Sequence, residues 1–169
     1  LIDELRLDRL AVLGHSRGAA IAVLLAIALE HRCSQLVLLD GMLPRAVADD
    51  QAPAQFLQAQ RDHQRRAKHR PRVFADVDEF VEARVRLGFS DQSARILAPR
   101  ALKRDANGFA LVHDPRLNHA SAVKMNPAMC AAFYAALSTA TLTLMAEQGL
   151  RQRGELESAI QALYDTPEC

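Results

Sequence analysis

The sequence predicts an α/β fold, a parallel sheet flanked by helices with a helical insertion between its second and third strands. Three observations predict it. Leu10-Ala11-Val12-Leu13, Leu36-Val37-Leu38-Leu39 and Thr141–Met145 are short apolar runs, as expected of strands buried on both faces of a parallel sheet. The first two flank Arg17–Leu29, an Ala/Leu/Ile-rich stretch that is apolar almost all round and so reads as a buried helix. Strand, helix and strand at this spacing form a βαβ unit, whose parallel pairing requires a right-handed crossover. Third, the pattern changes at Pro44 and returns to apolar α/β character only near Pro127.

The elements follow in order. Leu1, Ile2 and Leu5 fit the apolar stripe of a helix already under way, and the sequence has no initiator Met. After the βαβ unit, residues 50–69 read as a polar helix stopped near Pro71. Asp76–Leu87 reads as an amphipathic helix with Phe80, Val81, Val85 and Leu87 on its apolar side, and Ser93–Leu102 as a third, interrupted by Pro99. Asn107-Gly108 signals a turn before an extended Phe109–Val112. Ala128–Leu137 and Gly154–Leu163 read as helices on either side of the third strand. Residues 1–43 and 127–169 thus form a partial core, and residues 44–126 a cap or lid. Three strands apolar on both faces need further strands at their edges and helices above and below. The expectation is a fragment of a longer protein.

Bulk properties exclude several functions. The chain has 169 residues, is 50% hydrophobic and carries a formal net charge of +1, so no global field steers it toward nucleic acid. Aromatics make up 5% and Trp is absent, which argues against a base-stacking platform. The basic stretch Arg61–Arg72 lacks aromatic interleaving and reads as a solvated helix face. Cys33, Cys130 and Cys169 are odd in number and widely spaced; neither a disulfide framework nor a zinc site is expected, and a reducing cytoplasm is. His63 and His69 fall on different helix faces and fit no metal spacing. No apolar run is long enough to span a membrane, and the first residues do not form a signal peptide.

The chemistry is carried by Gly14-His15-Ser16-Arg17-Gly18, a G-x-S-x-G pentapeptide placed where a buried strand turns into a buried helix. Such a bend holds its serine in strained φ/ψ. Gly14 and Gly18 are expected to remove collisions across it, and Ala19 and Ala20 to let the helix approach the sheet. Ser16 Oγ would project at a helix N-terminus, where free N–H groups favour negative charge, and the Arg17 backbone N–H would be an oxyanion donor.

In these features the chain resembles the α/β-hydrolase fold, of the serine-hydrolase-like subgroup. Leu10–Leu39 resembles the family's elbow strand, following helix and next strand, and Leu87–Leu117 its helical cap. Thr141–Leu150 resembles the late strand whose end carries the triad acid. The resemblance implies an order of Ser, acid, His. Ser16 is then the nucleophile, and Glu147 the favoured acid. Asp40, at the end of the preceding strand, is the alternative. His15 lies inside the elbow, and His113 and His119 precede the late strand, so the catalytic His is expected beyond Cys169. A chain that ends there is expected to be inactive. The resemblance implies hydrolysis of an ester or related acyl bond through an acyl-enzyme, with a small-molecule acyl substrate and no metal or organic cofactor. Acyl transfer, thioester cleavage, carbon–carbon hydrolysis and a catalytically inactive paralogue remain the alternatives. Oligomeric state is not readable.

Overall fold

The computed structural model describes residues 2–67, 72–114, 117, 119, 121–147 and 149. Its elements are β1 (Leu10–His15), α1 (Arg17–Leu29), β2 (Cys33–Leu39), α2 (Ala52–Ala67), β3 (Val73–Phe74), α3 (Val77–Val85), α4 (Asp91–Ala101), β4 (Leu102–Asp105), β5 (Gly108–Leu111), α5 (Pro127–Ala135) and β6 (Thr141–Leu144). They divide between two compact units, residues 56–122 and the remainder. The expected helix at Gly154–Leu163 lies outside the described residues. No helix among the described residues is long and apolar enough to cross a membrane.

In the first unit a three-stranded sheet runs in the order β1-β2-β6, every pair parallel. Leu13 pairs with Val37 and Val37 with Leu142; His15 pairs with Leu39 and Leu39 with Leu144. The α/β class and the parallel βαβ unit are therefore as the sequence predicts. At the start of the chain the Arg6 N–H donates to the Asp3 carbonyl at 3.0 Å and the Leu7 N–H to Ile2 at 3.1 Å, with Arg6 at φ 52°. That pair of bonds around a left-handed residue is the closing motif of a helix C-terminus.

One face of this sheet is packed. Val12, Leu36 and Leu38 meet Ala19, Ala22, Val23 and Ala26 of α1 and Tyr134 of α5. The alanines matter because a small side chain at each helical repeat brings α1 close to the strands. On the opposite face of the described sheet Leu13 is 63% exposed, Leu142 54% and Leu144 51%, the unpartnered apolar surface that the sequence expects of a partial core. Ile21 of α1 is likewise 61% exposed.

The second unit has its own core of Phe74, Phe80, Val81, Ala94 and Ala98, in which the Phe74 and Phe80 rings meet edge to face at 5.5 Å. Asp76 caps α3 by accepting from the Glu79 N–H at 2.8 Å, while Glu79 accepts from the Ala75 N–H at 2.7 Å. The first bond satisfies one of the N–H groups that a helix start leaves open, and the second ties the residue before the cap to the first turn. The Ala75 N–H and the Arg72 guanidinium together hold the Glu79 carboxyl below its ordinary range. The extended piece expected at Phe109–Val112 is β5, and two further strands join it. β3, β5 and β4 form an antiparallel sheet in that order, and β4 with β5 makes a hairpin around Ala106-Asn107. Leu102-Lys103-Arg104-Asp105 has no apolar alternation to announce a strand; its pairing with β5 makes it one. Pro99 does not interrupt α4, which runs through it to Ala101.

A buried phenol ties the end of β2 to α5. The Leu43 N–H donates to Tyr134 Oη at 2.9 Å, and Tyr134 is almost wholly buried. Burial pushes its phenol up to about 12. Tyr134→Phe is expected to leave the Leu43 N–H unsatisfied and to destabilise the fold by about 1–3 kcal/mol. Because the folded pKa lies above the ordinary value of 10.0, the unfolded chain loses the proton first as pH rises. Stability carried by this group is therefore complete below pH 10 and lost as pH climbs toward 12. Thermal melts from pH 8 upward should show a smaller alkaline decline in Tyr134→Phe than in wild type; equal declines would contradict this.

Candidate active site

The ends of β1, β2 and β6 lie together at the carboxyl edge of the first unit's sheet, where parallel α/β sheets gather ligands and reactive groups. At the end of β1 the chain bends into α1 through Ser16, which adopts φ 51° and ψ −120°. A residue with a Cβ pays roughly 1–3 kcal/mol for such a conformation, and the surroundings must hold it there. They do so through the main chain. The Ser16 N–H donates to the Leu39 carbonyl at 2.9 Å, extending the β1–β2 ladder by one bond, and the Ser16 carbonyl accepts from the Ala19 N–H at 2.9 Å.

Serine at a helix start usually folds its hydroxyl back onto the helix N–H groups. Ser16 makes no such capping bond, and the residue is exposed. A hydroxyl at the positive end of a helix dipole, uncommitted to capping, is placed to carry developing charge. The Arg17 N–H belongs to the first turn of α1, whose leading N–H groups have no partners within a helix.

The two glycines of the pentapeptide are not equivalent, which corrects the sequence expectation. A Cβ at Gly14 would stand 2.4 Å from the Gly18 carbonyl oxygen and 2.7 Å from Ala19 Cα, so only glycine fits. A Cβ at Gly18 would meet nothing within 4 Å. Sequence reasoning missed a second glycine that crowds the bend. At Gly41, beyond β2, a Cβ would lie 2.4 Å from the Ser16 carbonyl oxygen, 2.8 Å from Ser16 Cα and 2.9 Å from Ala19 Cβ. The only sequence signal was its place directly after a strand-terminal Asp.

Of the two candidate acids, Asp40 immediately follows β2 and takes φ 41°, and its N–H donates to the Leu144 carbonyl at 2.8 Å. Its Oδ1 accepts from the Ala146 N–H at 3.3 Å. Glu147 lies past the end of β6 in a turn closed by the Gly149 N–H on the Ala146 carbonyl at 3.1 Å, and it is exposed. Both carboxylates thus belong to the same edge of the sheet as Ser16. Among the described histidines, His15 alone is placed by its strand at this edge. His15 is exposed on β1, and His31 sits at the opposite end of the sheet, before β2. His63 and His119 stack edge to face at 4.4 Å within the second unit. Among the described residues no group of three or more His, Cys, Asp or Glu side chains could hold a metal ion.

Comparison with known proteins bears on this arrangement. The model of the alpha/beta hydrolase fold matches residues 1–141. A serine hydrolase-like protein of Danio rerio is 28% identical over 160 residues, covering 89% of this chain and 48% of that protein. The crystal structure of a hypothetical protein of Pseudomonas aeruginosa PAO1 superposes with a TM-score of 0.84 at 32% identity, over 98% of this chain and 58% of that one. A thioesterase domain from the curacin biosynthetic pathway superposes with a TM-score of 0.70 at 18% identity, over 96% of this chain and 58% of that one, a likeness of fold alone. The chain spans roughly half the length of the relatives it matches.

Proposed function

Because this chain belongs to the α/β-hydrolase fold family, we propose that it carries the nucleophile of a serine hydrolase acting on an ester or related acyl bond through a Ser16 acyl-enzyme. The observation that carries the reading is the strained Ser16 backbone between β1 and α1, which leaves an exposed hydroxyl uncommitted to capping. Strain of this kind persists where surrounding contacts enforce it, and here those contacts include a glycine from another strand end.

In the first step Ser16 Oγ bonds to the acyl carbon while the carbonyl π electrons move onto oxygen. The Arg17 N–H donates to that oxyanion, a contact worth about 3 kcal/mol in comparable sites. Collapse breaks the carbon–oxygen bond to the leaving alkoxide, which takes the proton that Oγ gave up. Water then repeats the sequence on the acyl-enzyme and releases the acid. The proton transfers need a base, and we assign it to an imidazole outside the described residues. A carboxylate must in turn orient that imidazole.

Reaction of the intact protein with a fluorophosphonate, followed by peptide mass spectrometry, tests the assignment. The adduct is expected on Ser16 alone. A protein that turns over esters yet is modified elsewhere, or stays unmodified, would contradict it. Comparing oxygen esters, thioesters and added acyl acceptors in the same assay then identifies the acyl bond cleaved and the acceptor used.

A further inference from the structure

We propose that Asp40, not Glu147, is the carboxylate that orients the base, and that Gly149 is a positioning residue whose missing side chain makes room for it. The inference rests on the Ser16 reading and deepens it. Three features of the β2 and β6 ends support it.

First, Asp40 follows the strand adjacent to the one that presents Ser16, with register pairing carried up to His15 and Leu39. Parallel neighbours lie roughly 5 Å apart, so Asp40 stands one strand from the nucleophile and β6 stands two. Second, the turn after β6 is turned toward Asp40 as a receptor. The Ala146 N–H donates to Asp40 Oδ1 at 3.3 Å, and the Gly149 N–H closes the same turn. Third, a Cβ built on Gly149 would fall 2.3 Å from Asp40 Oδ1, 2.4 Å from Oδ2 and 2.5 Å from Cγ. A side chain at 149 and the Asp40 carboxylate therefore compete for one volume. Glu147, in that same turn, is exposed.

A purely structural Asp40, bracing the bend before Gly41, would need the Ala146 bond but not the second-site geometry. The volume shared with residue 149 separates the two roles. If the carboxylate works by its position, a carboxylate entering the same space from residue 149 should replace it once Asp40 is shortened. Glycine at position 40 also tolerates the φ of 41° there.

The experiment measures ester turnover and melting temperature of the intact protein for Asp40→Gly, Glu147→Gln, Gly149→Ala and the double variant Asp40→Gly/Gly149→Asp. Loss of an orienting carboxylate costs on the order of 10⁴-fold in kcat in comparable triads, so Asp40→Gly should fall by at least about 10³-fold. Glu147→Gln should stay within about threefold of wild type, a bound set by the small effects of exposed substitutions. Gly149→Ala should lose up to about 10²-fold in kcat with KM little changed, because the carboxylate is displaced rather than removed. The double variant should recover about tenfold or more over Asp40→Gly, by the same positional argument. Loss of turnover in Glu147→Gln alone overturns the proposal. So does a double variant that melts like wild type but is no more active than Asp40→Gly. Wild-type turnover in Ser16→Ala would instead remove the function itself, whichever carboxylate matters.

Discussion

Ser16→Ala is expected to reduce ester turnover in the intact protein by about 10⁴- to 10⁶-fold, the scale seen when a triad nucleophile is removed, and to abolish fluorophosphonate labelling. The melting temperature should barely move. The Ser16 hydroxyl makes no capping bond and the residue is exposed, so its loss leaves no buried group unsatisfied. Alanine keeps the Cβ and with it the cost of φ 51°. Ser16→Gly should be equally inactive but more stable by about 1 kcal/mol, because glycine enters positive φ freely. Opposite movements of activity and stability at one position would mark strain maintained for function. Turnover in Ser16→Ala equal to that of wild type would end the acyl-enzyme reading, and a Ser16→Gly protein less stable than wild type would remove the strain argument.

Gly41→Ala is expected to lower both stability and turnover, because it adds a methyl group where the bend at Ser16 leaves no room for one. Two of the three atoms it would strike, the Ser16 carbonyl oxygen and Ser16 Cα, are main chain and cannot swing aside. Either the end of β2 or the bend itself must move. Overpacking of this kind costs about 1–3 kcal/mol or more, and a displacement of about 1 Å at the nucleophile costs on the order of 10²-fold in rate. Gly14→Ala should behave similarly, since its Cβ meets the Gly18 carbonyl oxygen and Ala19 Cα. Gly18→Ala supplies the control. Its Cβ meets open space within 4 Å, and alanine is the better helix former by about 1 kcal/mol, so stability should hold or rise. Chemical denaturation of the three variants beside ester kinetics would check this. Gly41→Ala with unchanged midpoint and rate would show that the two strand ends are not held against each other as described.

Much of the first unit was legible in the sequence because its signals are local. Apolar runs ending in glycine or Asp-Gly marked β1 and β2, and an Ala/Leu-rich stretch at helical spacing marked α1. These patterns lie within one turn or one strand of the residues they describe. The strand–turn–helix setting of Ser16 and the placement of Asp40 and Glu147 past strand ends followed from them directly. What lay beyond reach involves residues far apart in the chain. Leu102–Asp105 is a strand only because β5 pairs with it. Gly41 crowds Ser16 from another strand end, and Gly149 abuts Asp40 across more than a hundred residues of chain. Periodicity reports the side of an element a residue occupies. The atom that will stand 2.4 Å from an absent methyl group is set by the packing of whole elements, and no window of sequence contains both partners.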